Sequence, residues 1–196
     1  MAVLISIQPK WCELIANGKK TIEVRKTKPK LETPFKVYIY CTKGKGLLGW
    51  HSEYKDNRRD NEHEFKVFSL LGKSDFFNGK VLGEFVCDEI TPLFNVATTS
   101  WELLAGNVHE YAKGLVRMAR LTEKEMHDYA KGKNCFAWHI TDLKIYDKPK
   151  ELSEFLIDCK NCGKKFVGAP NCWQGCVNGY RRLTRPPQSW CYVEEL

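Results

Sequence analysis

The chain has 196 residues, 43% of them apolar, and a formal net charge of +7, which leaves room for one well-buried domain and a small appendage. No run reaches the ~18 uninterrupted apolar residues of a membrane-spanning helix, and Met1-Ala-Val-Leu-Ile5 meets Gln8, Pro9 and Lys10 too soon to form the apolar region of a signal peptide. The expectation is a cytoplasmic protein with no membrane partner.

Val3 to Ile7 predicts a short buried strand. Pro9 follows at the position where a first helical turn tolerates a missing amide, and Trp11, Leu14 and Ile15 fall at the spacing of one helix face. Gly18 ends that helix. Thr21-Ile-Glu-Val-Arg25 then alternates, sending Ile22 and Val24 to the core and Thr21, Glu23 and Arg25 to the opposite face, with Lys20 at the turn into the strand. Pro29 and Pro34 bar a helix or central strand between them, and Lys36 to Cys41 resumes as a strand rich in branched and aromatic residues.

From Lys43 to Glu64 the chain turns glycine-rich and then densely charged, which predicts an exposed excursion. Lys80 to Glu89 predicts another strand. Thr99-x-x-Glu102 and Thr122-x-x-Glu125 each have the capping-box form that begins a helix, the second closed by Gly132. Asn134 to Tyr146 alternates Phe136, Trp138 and Ile140 against Ala137, His139 and Thr141, predicting one long strand. Trp11 and Trp138 sit inside apolar periodicities and are expected in the core. After Lys148-Pro-Lys150 the composition shifts to Cys, Gly and Asn, although Trp173, Tyr180, Trp190, Tyr192 and Val193 are too apolar to be left in solvent.

Charge is concentrated in two places. Residues 18 to 45 hold nine Lys or Arg against Glu23 and Glu32, and residues 160 to 185 add six basic groups and no acid. Such clusters attract polyanions, nucleic acid above all. Within the first, Lys20 offers three donors to a phosphate or carbonyl oxygen, Arg25 offers a planar fork, and Glu23 is the carboxylate held ionised between them. The trio can bind a substrate or move a proton; the alternative is an ordinary ion pair on a solvated strand face.

Nine cysteines complete the inventory. Cys12, Cys41, Cys87 and Cys135 are scattered, whereas five crowd between Cys159 and Cys191, a pattern that favours metal ligation in a reducing compartment over a disulfide framework. Cys159-x-x-Cys162-Gly and Cys172-x-x-x-Cys176 have the form of two knuckles around one tetrahedral ion, with Cys191 as a spare. Four thiolates leave no open coordination position, so the expected cofactor is a structural Zn2+.

The segment Leu4-Ile-Ser-Ile-Gln-Pro-Lys-Trp11, followed by Leu14-Ile-Ala-Asn-Gly-Lys-Lys-Thr-Ile-Glu-Val-Arg25, resembles the opening of the ASCH (activating signal cointegrator homology) family. There a strand and helix lead into Gly-x-Lys-x-x-Glu-x-Arg, matched by Gly18, Lys20, Glu23 and Arg25. Val81-Leu-Gly-Glu-Phe-Val86 and Ala137-Trp-His-Ile140 resemble later strands of the same domain. The resemblance implies an α+β fold, a PUA-like β-barrel with short helical insertions over residues 1–157; the cysteine spacing adds a zinc-knuckle tail over residues 158–196, whose aromatic residues are expected to pack on the barrel. The resemblance also implies a cleft for RNA, a nucleotide or a nucleoside, at the matched Lys20, Glu23 and Arg25; Thr21, the nearest hydroxyl, and His139, from its strand face, are further substrate-binding candidates.

Two other readings stand beside binding. One branch of the family removes the acetyl group from N4-acetylcytidine with a threonine nucleophile beside the lysine. Glu23 occupies that position here, and the nearest hydroxyl, Thr21, lies two residues earlier. Other members are described as ribonucleases; in a hydrolase of either kind Lys20 and Glu23 are the catalytic candidates. The third reading makes the zinc tail a module for a protein partner.

Overall fold

The computed structural model describes residues 1–44, 46–52, 63–68, 76–93, 107–159, 176 and 179–195. Cys162, Cys172 and the helix expected from Thr99 lie outside the described residues. The elements in chain order are β1 (Ala2–Ile7), α1 (Pro9–Ala16), β2 (Ile22–Arg25), β3 (Phe35–Cys41), β4 (Leu47–Ser52), β5 (His63–Phe68), β6 (Val81–Cys87), β7 (Ile90–Leu93), α2 (Asn107–Met118), α3 (Glu123–Ala130), β8 (Cys135–His139), β9 (Thr141–Lys150), β10 (Phe155–Asp158), β11 (Tyr180–Arg182) and β12 (Trp190–Glu195). None of the described helices is long and apolar enough to cross a membrane.

These elements form two compact units. The first comprises residues 1–12, 37–84 and 144–196, and the second residues 13–36 and 85–143. The first is built on a sheet of order β11-β10-β12-β1-β3-β6-β9. All six residues of β1 are buried, as expected of a central strand, its one polar member Ser6 donating to Pro187 O at 2.7 Å, with β3 parallel on one side and β12 antiparallel on the other. Its core joins Leu4, Tyr38 and Val81 to Phe155, Leu183 and Val193, so the C-terminal strands share the core of the N-terminal ones. The expected barrel does not close: among the described residues the sheet runs in linear order, with β11 and β9 at its edges.

Two further expectations are corrected. The strand foreseen over residues 134–146 is two strands in different sheets, separated at Ile140. Asp142 takes a left-handed backbone conformation, φ +47°, at the start of β9, a local departure from pleated geometry just beyond the break. Residues 43–64 are not all excursion, because β4 and β5 pair antiparallel from Leu47↔Phe68 to Ser52↔His63, with Leu48 fully buried.

The second unit is a three-stranded sheet, β2-β8-β7, with α2 and α3 packed on one face. Ile22 and Val24 of β2 meet Leu93, Cys135 and Ala137 from the sheet and Leu115, Val116, Ala119, Met126 and Ala130 from the helices. Pro92 sits in β7, which among the described residues pairs with β8 alone and is an edge strand, the place where a missing amide is tolerated. Helix α3 begins as the sequence predicts: Thr122 Oγ1 accepts from Glu125 N (3.1 Å), and Glu125 Oε2 accepts from Thr122 N (2.9 Å). Thr122→Ala should cost about 1 kcal/mol in urea unfolding, and an unchanged midpoint would show that the cap contributes nothing.

Candidate functional site

The polar motif of the sequence is assembled at the entry to β2. Helix α1 stops at Ala16, and Gly18 takes φ +66°, a conformation open to glycine. The amides of Lys19 and Lys20 then both donate to Leu14 O, at 2.8 and 2.9 Å. Thr21 N donates to Met118 O at 3.2 Å, which ties the turn to the C-terminal end of α2. Carbonyls just beyond a helix end lack intrahelical partners and carry the negative end of the dipole. Lys20 Nζ answers one of them, donating to Ala119 O at 2.7 Å.

The same ammonium lies 3.3 Å from Glu23 Oε2, and Arg25 Nη2 lies 3.0 Å from Glu23 Oε1. Both carboxylate oxygens are thus engaged by cations. The face carrying Glu23 and Arg25 is opposite to Ile22 and Val24, as the alternation predicts, but it is not solvated: the side chains of Lys20, Glu23 and Arg25 are only 3%, 9% and 11% exposed. Glu23 stands directly across from Trp138 and Arg25 from Phe136, and Phe35 packs edge-on to Trp138 at 6.0 Å. Burial pushes the Lys20 ammonium below the usual lysine range, against the charge and hydrogen bond of Glu23, which pull the other way. Trp138 is wholly buried, in keeping with its expected core role, and Trp11 is half-buried.

Thr21 is exposed, one residue before β2. His139 is not brought to the trio. It pairs with Ile22 across β2 and β8 and so lies on the other face from Glu23 and Trp138. Its Nε2 is 3.2 Å from Thr91 Oγ1, and that hydroxyl donates to Glu89 Oε1 at 2.9 Å. A hydroxyl has one proton, so His139 Nε2 is the donor to Thr91.

Beside Arg25 the structure adds residues that periodicity did not single out. Lys26 Nζ stands 5.1 Å from the centroid of the Tyr129 ring, and Lys28 Nζ 5.8 Å from that of Phe136. The Tyr129 hydroxyl is within electrostatic reach of the Lys26 backbone, Arg25 and Glu23. The available signal was lysines at 26, 28 and 30 after a strand of known facing; their aromatic partners are distant in sequence and emerge only on folding.

A sheet-dominated α+β fold with a Gly-x-Lys-x-x-Glu-x-Arg segment braced in its smaller sheet defines a class of domain, and comparison identifies it. The ASCH domain pattern matches residues 5–150, and the chain belongs to that family, which is generally RNA-binding. Crystal structures of an ASCH protein from Zymomonas mobilis, and of its tyrosine-to-phenylalanine and serine-to-alanine variants, share the fold with a TM-score of 0.52 at 18% identity. Each covers 98% of this chain, which in turn covers 87%, 90% and 88% of theirs respectively. No curated protein matches.

Proposed function

We propose that the protein binds RNA or a nucleotide through the second unit, along the chain that leaves β2. The observation that carries this reading is the facing of the charges. Between residues 19 and 36, Lys19, Lys28, Lys30 and Lys36 are exposed and Lys26 half-exposed, Glu23 is buried between its cations, and Glu32 is the solvent-facing carboxylate. The buried trio serves as the brace that fixes β2, with Arg25 its least buried member. Because both oxygens of Glu23 are held by cations, binding is favoured over the hydrolase readings, in which this carboxylate has to accept a proton.

The test is the salt dependence of RNA affinity. Lys28→Ala and Lys30→Ala should each lower the slope of log K against log salt by roughly 0.7 for a single strand, since each removes a phosphate contact and its released counterion. Slopes unchanged in both variants would remove this segment from the interface.

A structural zinc ion held by Cys159, Cys162, Cys172 and Cys176 is proposed on a separate observation. β10 and β11 pair antiparallel, Asp158↔Tyr180, and Cys159 N donates to Gly179 O at 2.7 Å. Cys159 therefore stands at the end of this strand pair, and Cys176 precedes Gly179 by three residues in sequence, which supports the two knuckles closing on one ion. Among the described residues no three metal-binding side chains cluster, and two of the four proposed ligands lie outside them.

A further inference from the structure

Resting on the RNA reading above, we infer that the partner is single-stranded RNA and that unpaired bases stack on Tyr129 and Phe136. Tyr129 is one of the large apolar side chains left open to solvent, 38% exposed on α3, and Phe136 is half-buried on β8. Each ring carries a lysine ammonium over it, Lys26 at 5.1 Å and Lys28 at 5.8 Å. The two rings are linked through adjacent residues: Phe136 lies directly across from Arg25, and the Tyr129 ring lies under the ammonium of the next residue, Lys26.

A lone exposed tyrosine beside a lysine is ordinary surface packing. Two such pairs, both on lysines that closely follow β2, one ring from the helix on one face of the sheet and one from β8 on the other, with Lys30, Lys131 and Lys133 also exposed in this unit, supply the rings and cations that single strands require. An exposed cation–ring contact is weak. A base offers the ring a larger π surface, and the displaced ammonium finds a phosphate of the same strand, so both groups gain. A duplex stacks its bases on one another and presents only backbone and groove edges, so it reaches the lysines but leaves the rings unused. The buried Lys20–Glu23–Arg25 brace holds this end of β2 in place and needs no contact with the ligand.

The experiment compares a 12-nucleotide single-stranded oligoribonucleotide with the same strand annealed to its complement, by fluorescence anisotropy at fixed salt. The expected result is tighter binding of the single strand, weakened about tenfold by Tyr129→Ala and similarly by Phe136→Leu, which keeps apolar bulk without a ring. Tyr129→Trp should retain the affinity, the duplex should respond to none of these changes, and the salt slope should be that of the parent throughout. If single strand and duplex bind equally and both ring variants match the parent, the stacking inference is overturned while the lysine surface stands. If neither RNA binds, both readings fall together.

Discussion

Glu23→Gln is expected to destabilise the protein by about 3–5 kcal/mol, the usual cost of removing one partner from a buried ion pair. The amide keeps the shape of the side chain, but Lys20 and Arg25, 3.3 and 3.0 Å away and nearly enclosed, lose the charge that compensates them. The loss should depend on pH with a definite sign. Lys20 already titrates below its ordinary 10.5 in the folded state because of burial, and Glu23 opposes that shift, so neutralising Glu23 lowers its folded pKa further. A base whose folded pKa is depressed binds more protons when unfolded, and stability then rises with pH between the folded and unfolded values. The deficit of the variant should therefore shrink as pH rises through the folded pKa of Lys20 toward 10.5. Urea unfolding at neutral and alkaline pH measures it. A loss below about 1 kcal/mol, or one that does not shrink with rising pH, would mean that the trio is a solvated surface pair.

The second large effect concerns the metal. Elemental analysis should find one zinc per chain, and Cys162→Ser should abolish most of it, because a structural zinc site draws its folding energy from the ion, about 10–16 kcal/mol in small zinc modules. Chelation should not unfold everything beyond Asp158. β12 lies between β10 and β1, with Val193 buried and paired to Ala2, so its hydrogen-exchange protection should survive while the amides between β10 and β11 open. Cys191 lies on β12, which pairs with β10 at Leu156↔Glu194, so Cys191→Ser decides the ligand set. Zinc retained there favours the four named cysteines; protein without zinc, and with those cysteines in disulfides, rules the site out.

The parts of the fold that local chemistry controls were legible in the sequence. The apolar run of β1, Pro9 at the start of α1, the left-handed Gly18 and the Thr122–Glu125 box each act within a few residues, and each appears where its residues stand. What depends on distant neighbours was not legible. β7 was hidden by Pro92, which is acceptable because β7 is at the edge of its sheet among the described residues. Thr21 to Arg25 has the alternation of a half-solvated strand, and nothing in it says that Trp138 and Phe136 stand beside Glu23 and Arg25 on that face, with Phe35 against Trp138. The facing of Glu23 and Arg25 could be read, but their burial could not. His139 has the right parity to be placed on a face, yet that face is the one opposite the trio, a fact set by the register Ile22↔His139.

Ultraviolet crosslinking of the full chain to a single-stranded oligoribonucleotide, with the modified peptides located by mass spectrometry, tests the central claim most directly. The account predicts crosslinks within residues 19–36 and 124–139, the lysine-bearing chain after β2 and the segment that supplies Tyr129 and Phe136. Crosslinks confined to residues 144–195, or none at concentrations where RNA is bound, would contradict it.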